Sequence, residues 1–118
     1  MDEKHRTEFQ RILGEHRDNM LALRQRRNDD LSALADARSA ATADDEHDPE
    51  GATLSDEWSK IVGLDTEARR ELRAIDDALH RLEAGDFGVC ESCGSRIPVA
   101  RLRIRPTATM CVGCASLV

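Results

Sequence analysis

The chain is poor in aromatic residues, with two Phe, one Trp and no Tyr among its 118 residues. Large rings carry much of the area in a thick globular core, and a chain that is 34% charged cannot fill one without them. A thin architecture remains, such as a long helical pair with a small stabilised end. No stretch approaches the ~20 consecutive apolar residues of a membrane helix. The opening MDEKHRTEFQ is charged from its second residue and has no apolar signal core. A membrane partner is therefore not expected, and a cytoplasmic location is. There is no phosphate-binding glycine loop, no nucleophile–base motif and no paired acid/base carboxylates, so the sequence reads as non-enzymatic. Cationic excess is missing too: 17 basic groups stand against 23 acidic ones, a net charge of −6. Non-specific binding to nucleic acid draws on cations facing phosphates, and this acidity argues against it.

No cysteine is spare. All four lie in two Cys-x-x-Cys pairs, Cys90/Cys93 and Cys111/Cys114, separated by seventeen residues. Two such pairs about 15–20 residues apart form the pattern of a four-thiolate zinc site. Two intervening residues let a tight turn present both sulfurs to one face of a tetrahedral ion, about 2.3 Å away. Two turns, joined by a short hairpin-like connection, close the shell, so one structural Zn2+ is expected rather than a catalytic one. The competing reading is a thiol–disulfide enzyme, but such enzymes carry one Cys-x-x-Cys at a helix start in a strand-rich fold. In a reducing compartment the four thiols favour metal over disulfides. His5, His16, His47 and His80 show no mutual ligand spacing and read as solvated or partly packed.

Charge is unevenly spread. Residues 86–118 carry Arg96, Arg101, Arg103 and Arg105 against Asp86 and Glu91, a net +2, which leaves −8 on residues 1–85. The four arginines read as a protein-facing surface or as partners for carboxylates of the head, because no aromatic is interleaved for base stacking. Within residues 1–85, a first helix is expected over roughly 2–38. Its seam is Phe9, Ile12, Leu13, Met20, Leu23, Leu31 and Leu34, interrupted by His16 and Arg27 and weakened at Gly14. Residues 39–53 lose the apolar period and hold Pro49, Gly51 and five acidic residues, so they read as an acidic loop. A second helix is expected from Thr53 or Ser55, with Thr53 and Asp56 placed as a capping box. From Ala68 through Leu72, Ile75, Leu79 and Leu82 the spacing alternates three and four, a coiled-coil seam. Gly63 and Asp65 weaken its earlier half, and Gly85 suits a left-handed stop.

The fold class is therefore mainly α: an antiparallel helical hairpin (coiled coil) over 1–85, joined to a small four-cysteine zinc-finger head over 86–118. Phe9 and Ile12 are expected to meet Leu79 and Leu82 near the head, and Leu31 and Leu34 to meet Trp58 near the far tip. An intermolecular coiled coil stays open as an alternative; Pro49 and Gly51 favour the hairpin because they obstruct one continuous helix.

Residues 86–114, DFGVCESCGSRIPVARLRIRPTATMCVGC, resemble the zinc finger of the DksA/TraR family. The likeness extends beyond the cysteines to Gly88 and to Ile97, Arg101 and Pro106 between the pairs. The preceding helix, acidic loop and helix are similar to that family's coiled-coil hairpin. The resemblance implies a transcription regulator that binds RNA polymerase rather than DNA, so direct sequence-specific DNA binding is not expected. It places the hairpin in the secondary channel, with an acidic tip approaching the catalytic region. The family tip carries Asp-x-x-Asp-x-Ala. Here Asp45 and Asp48 take the aspartate positions and Glu50 the alanine position; in the other register Asp48 comes first and Gly51 replaces the second aspartate. Asp45 and Asp48 are thus the expected tip residues. Long members act with the alarmone ppGpp and carry an N-terminal globular extension and a C-terminal helix that this sequence lacks, so a ppGpp response stays open. The second functional reading is a zinc-stabilised coiled-coil adaptor that binds another protein without transcriptional activity.

Overall fold

The structure, a computed structural model, describes residues 1–44 and 49–117. Four helices follow in order: α1 (Glu3–Asp44), α2 (Pro49–Ala84), α3 (Val99–Ile104) and α4 (Val112–Ala115). The described residues contain no strand, only an isolated antiparallel bridge between Val89 and Arg96. The fold is mainly α, and α1 and α2 form the expected antiparallel hairpin.

Both long helices extend further than the sequence reading places them. α1 continues through residues 39–44, where the apolar period has gone but Ala40, Ala41 and Ala43 keep helix propensity high. α2 begins at Pro49 rather than near Thr53, so Thr53 lies inside the helix and not at its start. Proline lacks the N–H that a first helical residue leaves unpaired anyway, and its fixed φ suits that position. The feature that marks a loop in the sequence thus opens a helix. At the other start, Asp2 caps α1 by accepting the backbone N–H of His5 at 2.8 Å. Gly85, at φ 83°, ends α2, and the N–H of Asp86 reaches back to the carbonyl of Arg81 at 2.9 Å. That six-to-one bond is a Schellman stop, which requires the left-handed glycine.

The chain divides into two compact units, one of Met1–Asp18 with Leu72–Val118 and one of Asn19–Glu71. In the first, Phe9 and Leu13 of α1 are fully buried, as are Ile75 and Ala78 of α2. Leu72, Leu82, Phe87, Ile97 and Leu102 complete this core. Leu13, not Ile12, is the fully buried partner of Phe9 on α1; Ile12 stays half-buried. The Phe9 ring lies 5.1 Å from that of Phe87 at a tilted 48°, which joins α1 to the segment leading into the cysteines. Each of the large apolar side chains buried here contributes about 1.5–3 kcal/mol through removal of apolar area from water. On the rim, Arg17 Nε donates to Asp76 Oδ1 at 3.0 Å.

The second unit has a thinner interior. Among its described residues the buried ones are Ala68 and Asp65, the latter 8% exposed. Asp65 continues the three–four seam one step before Ala68, so a charge occupies a position the pattern reserves for an apolar side chain. Arg24 Nε of α1 donates to its Oδ1 at 2.8 Å, and Arg69 Nε approaches its Oδ2 at 3.1 Å. These cations, Arg24 first, hold the Asp65 carboxyl below its ordinary value, against the opposing effect of burial. Arg27, which breaks the apolar seam of α1, crosses to α2 and donates from Nη1 to the Leu64 carbonyl at 2.9 Å. Trp58 is 37% exposed, so the expected apolar seal with Leu31 and Leu34 is incomplete.

Candidate metal centre

The first cysteine pair sits on a turn built by backbone hydrogen bonds. Cys90 N–H donates to Ser95 O at 2.8 Å, Gly94 N–H to Cys90 O at 2.9 Å, and Ile97 N–H to Gly88 O at 2.7 Å. Gly94, at φ 74°, supplies the left-handed residue that returns the chain immediately after Cys93. The second pair uses a helix start. Cys111 is the N-cap residue of α4, Cys114 lies within that short helix, and Ala115 N–H donates to Cys111 O at 2.9 Å. Glu91 N–H donates to Thr109 O at 2.9 Å and ties the two turns together.

Between the pairs the sequence suggests a hairpin-like link, whereas the structure has the helical turn α3 followed by a reverse turn. Pro98 precedes α3, and fully buried Leu102 anchors it. Six residues are too few to show a helical apolar period, which hides this turn from the sequence. The family-pattern residues lie along this link. Ile97 is 4% exposed and packs in the core. The Arg101 Nε donates to the Met110 carbonyl at 3.1 Å and so fixes the backbone just before Cys111. Ala108 N–H donates to Arg105 O at 3.0 Å, which puts Pro106 second in a four-residue turn, where its fixed φ is favoured. Arg103 forms a fork with Glu8 of α1, Nε to Oε1 at 2.8 Å and Nη2 to Oε2 at 3.2 Å. One head arginine thus pairs with a carboxylate of the hairpin rather than of the head.

These elements bring the sulfurs of Cys90, Cys93, Cys111 and Cys114 within 4.8 Å of one another. Cys93 Sγ and Cys111 Sγ are 3.9 Å apart. A tetrahedron of 2.3 Å bonds sets its sulfurs about 3.8 Å apart, whereas a disulfide needs about 2.05 Å. The spacing therefore fits a shared ion and not a bond between thiols. The electrostatics agree. Backbone N–H groups at Cys111 and then Cys93 point at the Cys90 sulfur and bring its thiol down to about 6. Ser95 lowers Cys93 in the same direction, mainly through its hydroxyl. Cys114 is pushed up to about 12, chiefly because its thiol stays protonated to hydrogen-bond the sulfurs of Cys111, Cys90 and Cys93, with burial and the charge on Cys111 adding to this. A soft dication is the partner that lets all four ionise together. Cys90 is buried, Cys111 and Cys114 half-buried and Cys93 exposed, so one edge of the cluster faces solvent.

Asp45 and Asp48 lie outside the described residues. Among the described residues no other group of metal-ligating side chains accompanies the four cysteines. No helix of the described residues is long and apolar enough to cross a membrane. The sequence does not reveal Asp65 as a seam charge with partners, because its principal cation, Arg24, is 41 positions away.

Residues 85–117 match the prokaryotic dksA/traR C4-type zinc finger. The RNA polymerase-binding transcription factor DksA of Haemophilus influenzae is 36% identical over 66 residues, 56% of this chain and 46% of that protein. The factor of the same name from Escherichia coli K12 is 38% identical over 66 residues, covering 56% of this chain and 44% of its own length. The match therefore spans less than half the length of these curated relatives. The solved structure of transcription factor DksA2 from Pseudomonas aeruginosa aligns with 98% of this chain and 83% of its own, at TM-score 0.83 and 27% identity. Its agreement extends over the long helices as well as the finger. Residues 85–117 thus carry a zinc finger of the dksA/traR C4 type, and the chain as a whole is similar in architecture to DksA2.

Proposed function

We propose that the protein is a zinc-containing transcription regulator that binds RNA polymerase through its acidic hairpin and modulates initiation. The observation that carries this reading is the agreement of hairpin and finger together with DksA2, over 98% of the chain. A finger alone is compatible with many partners; a finger at the base of a long acidic hairpin is a narrower design. In this reading residues 86–118 form the finger domain, and Cys90, Cys93, Cys111 and Cys114 hold one structural zinc ion. A four-thiolate shell leaves no place for a reacting water, so the metal supplies folding energy and orientation rather than catalysis. Arg101 and Pro106 shape the approach to Cys111, and the Arg103–Glu8 fork with the Phe9–Phe87 contact couples the finger to the base of α1. The hairpin domain, residues 1–85, enters the secondary channel, where its acidity complements a passage built to admit nucleotides. Asp45 and Asp48 act at the tip, and the protein works in the cytoplasm without enzymatic activity of its own.

The test is co-elution of the zinc-loaded protein with polymerase core enzyme, followed by transcription in vitro. The expected result is stable association and altered initiation, with Asp45→Asn/Asp48→Asn retaining association and losing the effect. Neither association nor an effect overturns the proposal. An unchanged effect in the double variant removes the tip assignment.

A further inference from the structure

The unit Asn19–Glu71 holds thirteen acidic and seven basic groups, so the chain's whole net charge of −6 resides in it. Some of its carboxylates are engaged within the protein: Asp65 by Arg24 and Arg69, and Asp29 by the amide of Gln25. Asp30 on α1 and Glu57 on α2 are not: both are exposed, and neither has a hydrogen-bond or ion-pair partner among the described residues. They line one groove of about 350 Å³ together with Ala33, Leu34 and Ile61. Helical spacing explains the grouping. Asp30, Ala33 and Leu34 share a face of α1 at i, i+3 and i+4, and Glu57 and Ile61 share a face of α2 at i and i+4. The groove thus combines aliphatic side chains with one carboxylate from each helix.

We propose that this groove receives an arginine side chain of the protein partner, its methylene stem lying along Leu34 and Ile61 and its guanidinium between Asp30 and Glu57. The inference rests on the polymerase reading above, in which that partner is RNA polymerase. Three features select the occupant. Long cationic side chains bury their stems on apolar surface while the head stays polar. A guanidinium offers several donors in a fixed fork, which suits two carboxylates approaching from different helices. The acidic balance of the whole unit favours a basic partner surface during approach and in the docked state. An apolar peptide would leave both carboxylates facing a dry contact without compensation, at a desolvation cost.

The experiment measures affinity of the full zinc-loaded chain for polymerase core enzyme at two salt concentrations. It compares wild type, Asp30→Asn/Glu57→Gln, and the control Asp36→Asn/Glu67→Gln, which removes the same charge at exposed positions outside the groove. Circular dichroism checks that helicity is equal in all three. The groove variant is expected to bind about tenfold or more weakly and to lose part of the salt dependence, whereas the control changes affinity by about twofold or less. If wild type binds and the groove variant is no weaker than the control, the groove assignment falls while the polymerase reading stands. If wild type does not bind polymerase at all, both fall. If the groove substitutions instead abolish self-association of the protein, the occupant is a second copy and the proposal is overturned.

Discussion

The two compact units use the same pair of long helices to different ends. The unit of Met1–Asp18 with Leu72–Val118 has ten acidic and ten basic groups and is electrically neutral. Among the described residues it contains every buried hydrophobic one except Ala68, including the fully buried Phe9, Leu13, Ile75 and Leu102. The unit Asn19–Glu71 carries the entire net charge, with Ala68 and Asp65 the buried ones among its described residues. Scarce aromatic residues are spent where the finger meets the helices: both phenylalanines are there, and the lone tryptophan is left over a third exposed. The comparison teaches a division of labour. One unit is held by apolar burial and a metal shell, and the other is held by polar links across a thin seam, which leaves carboxylates available to a partner.

The largest effect that can break this comparison is loss of the metal. Chelation, or Cys114→Ser, is expected to remove stabilisation on the order of 10 kcal/mol from the finger. Amide resonances of residues 86–117 should collapse while much of the helical circular dichroism persists. A finger that keeps its dispersed resonances without metal would show that Leu102 and Ile97 suffice to hold it. Next comes the apolar core. Phe9→Ala should cost about 3–5 kcal/mol in urea unfolding, and Leu34→Ala, at a half-buried site of the other unit, clearly less. Equal costs would erase the contrast between the units.

A smaller effect sharpens the polar side of the comparison. Asp65→Ala removes the acceptor of Arg24 and Arg69 and should cost about 1–3 kcal/mol, the range for a charged hydrogen-bonded group. Because Arg24 and Arg69 lower the folded-state value of Asp65 from 3.8, its contribution is fully present above that value. It is lost as pH falls below 3.8 toward the folded-state value, since the unfolded chain then binds the extra proton. Asp65→Asn should therefore flatten this part of the acid-unfolding curve; an unchanged curve would assign it to other carboxylates. The smallest effect is expected at the exposed fork of Arg103 with Glu8. Arg103→Ala should leave the unfolding midpoint almost unchanged, because exposed ion pairs are screened by solvent and salt.

The same contrast explains what is legible in the sequence. Metal chemistry fixes ligand spacing, so the four cysteines and their turns can be read from spacing alone. The seam from Ala68 to Leu82 is legible because apolar periodicity is a local signal. Helix ends are less so: residues 39–44 hold no apolar period, yet alanine propensity carries α1 through them, and Pro49 reads as an obstruction when it is a starting residue. Asp65 reads as a weakness because a pattern of apolar and polar letters does not show Arg24 on the opposite helix. The Glu8–Arg103 fork, 95 positions apart, is invisible for the same reason. Polar links depend on pairing across the fold, whereas apolar and metal-binding patterns announce themselves locally.

Hydrogen–deuterium exchange of the zinc-loaded chain, free and with polymerase core enzyme, tests the division of labour most directly. The free protein is expected to exchange slowly around Phe9, Ile75, Leu82 and Leu102 and faster through residues 19–71. Added polymerase should then slow exchange chiefly in residues 19–71, around the groove of Asp30 and Glu57. Uniform exchange in the free chain, or protection by polymerase confined to residues 86–117, would contradict that division.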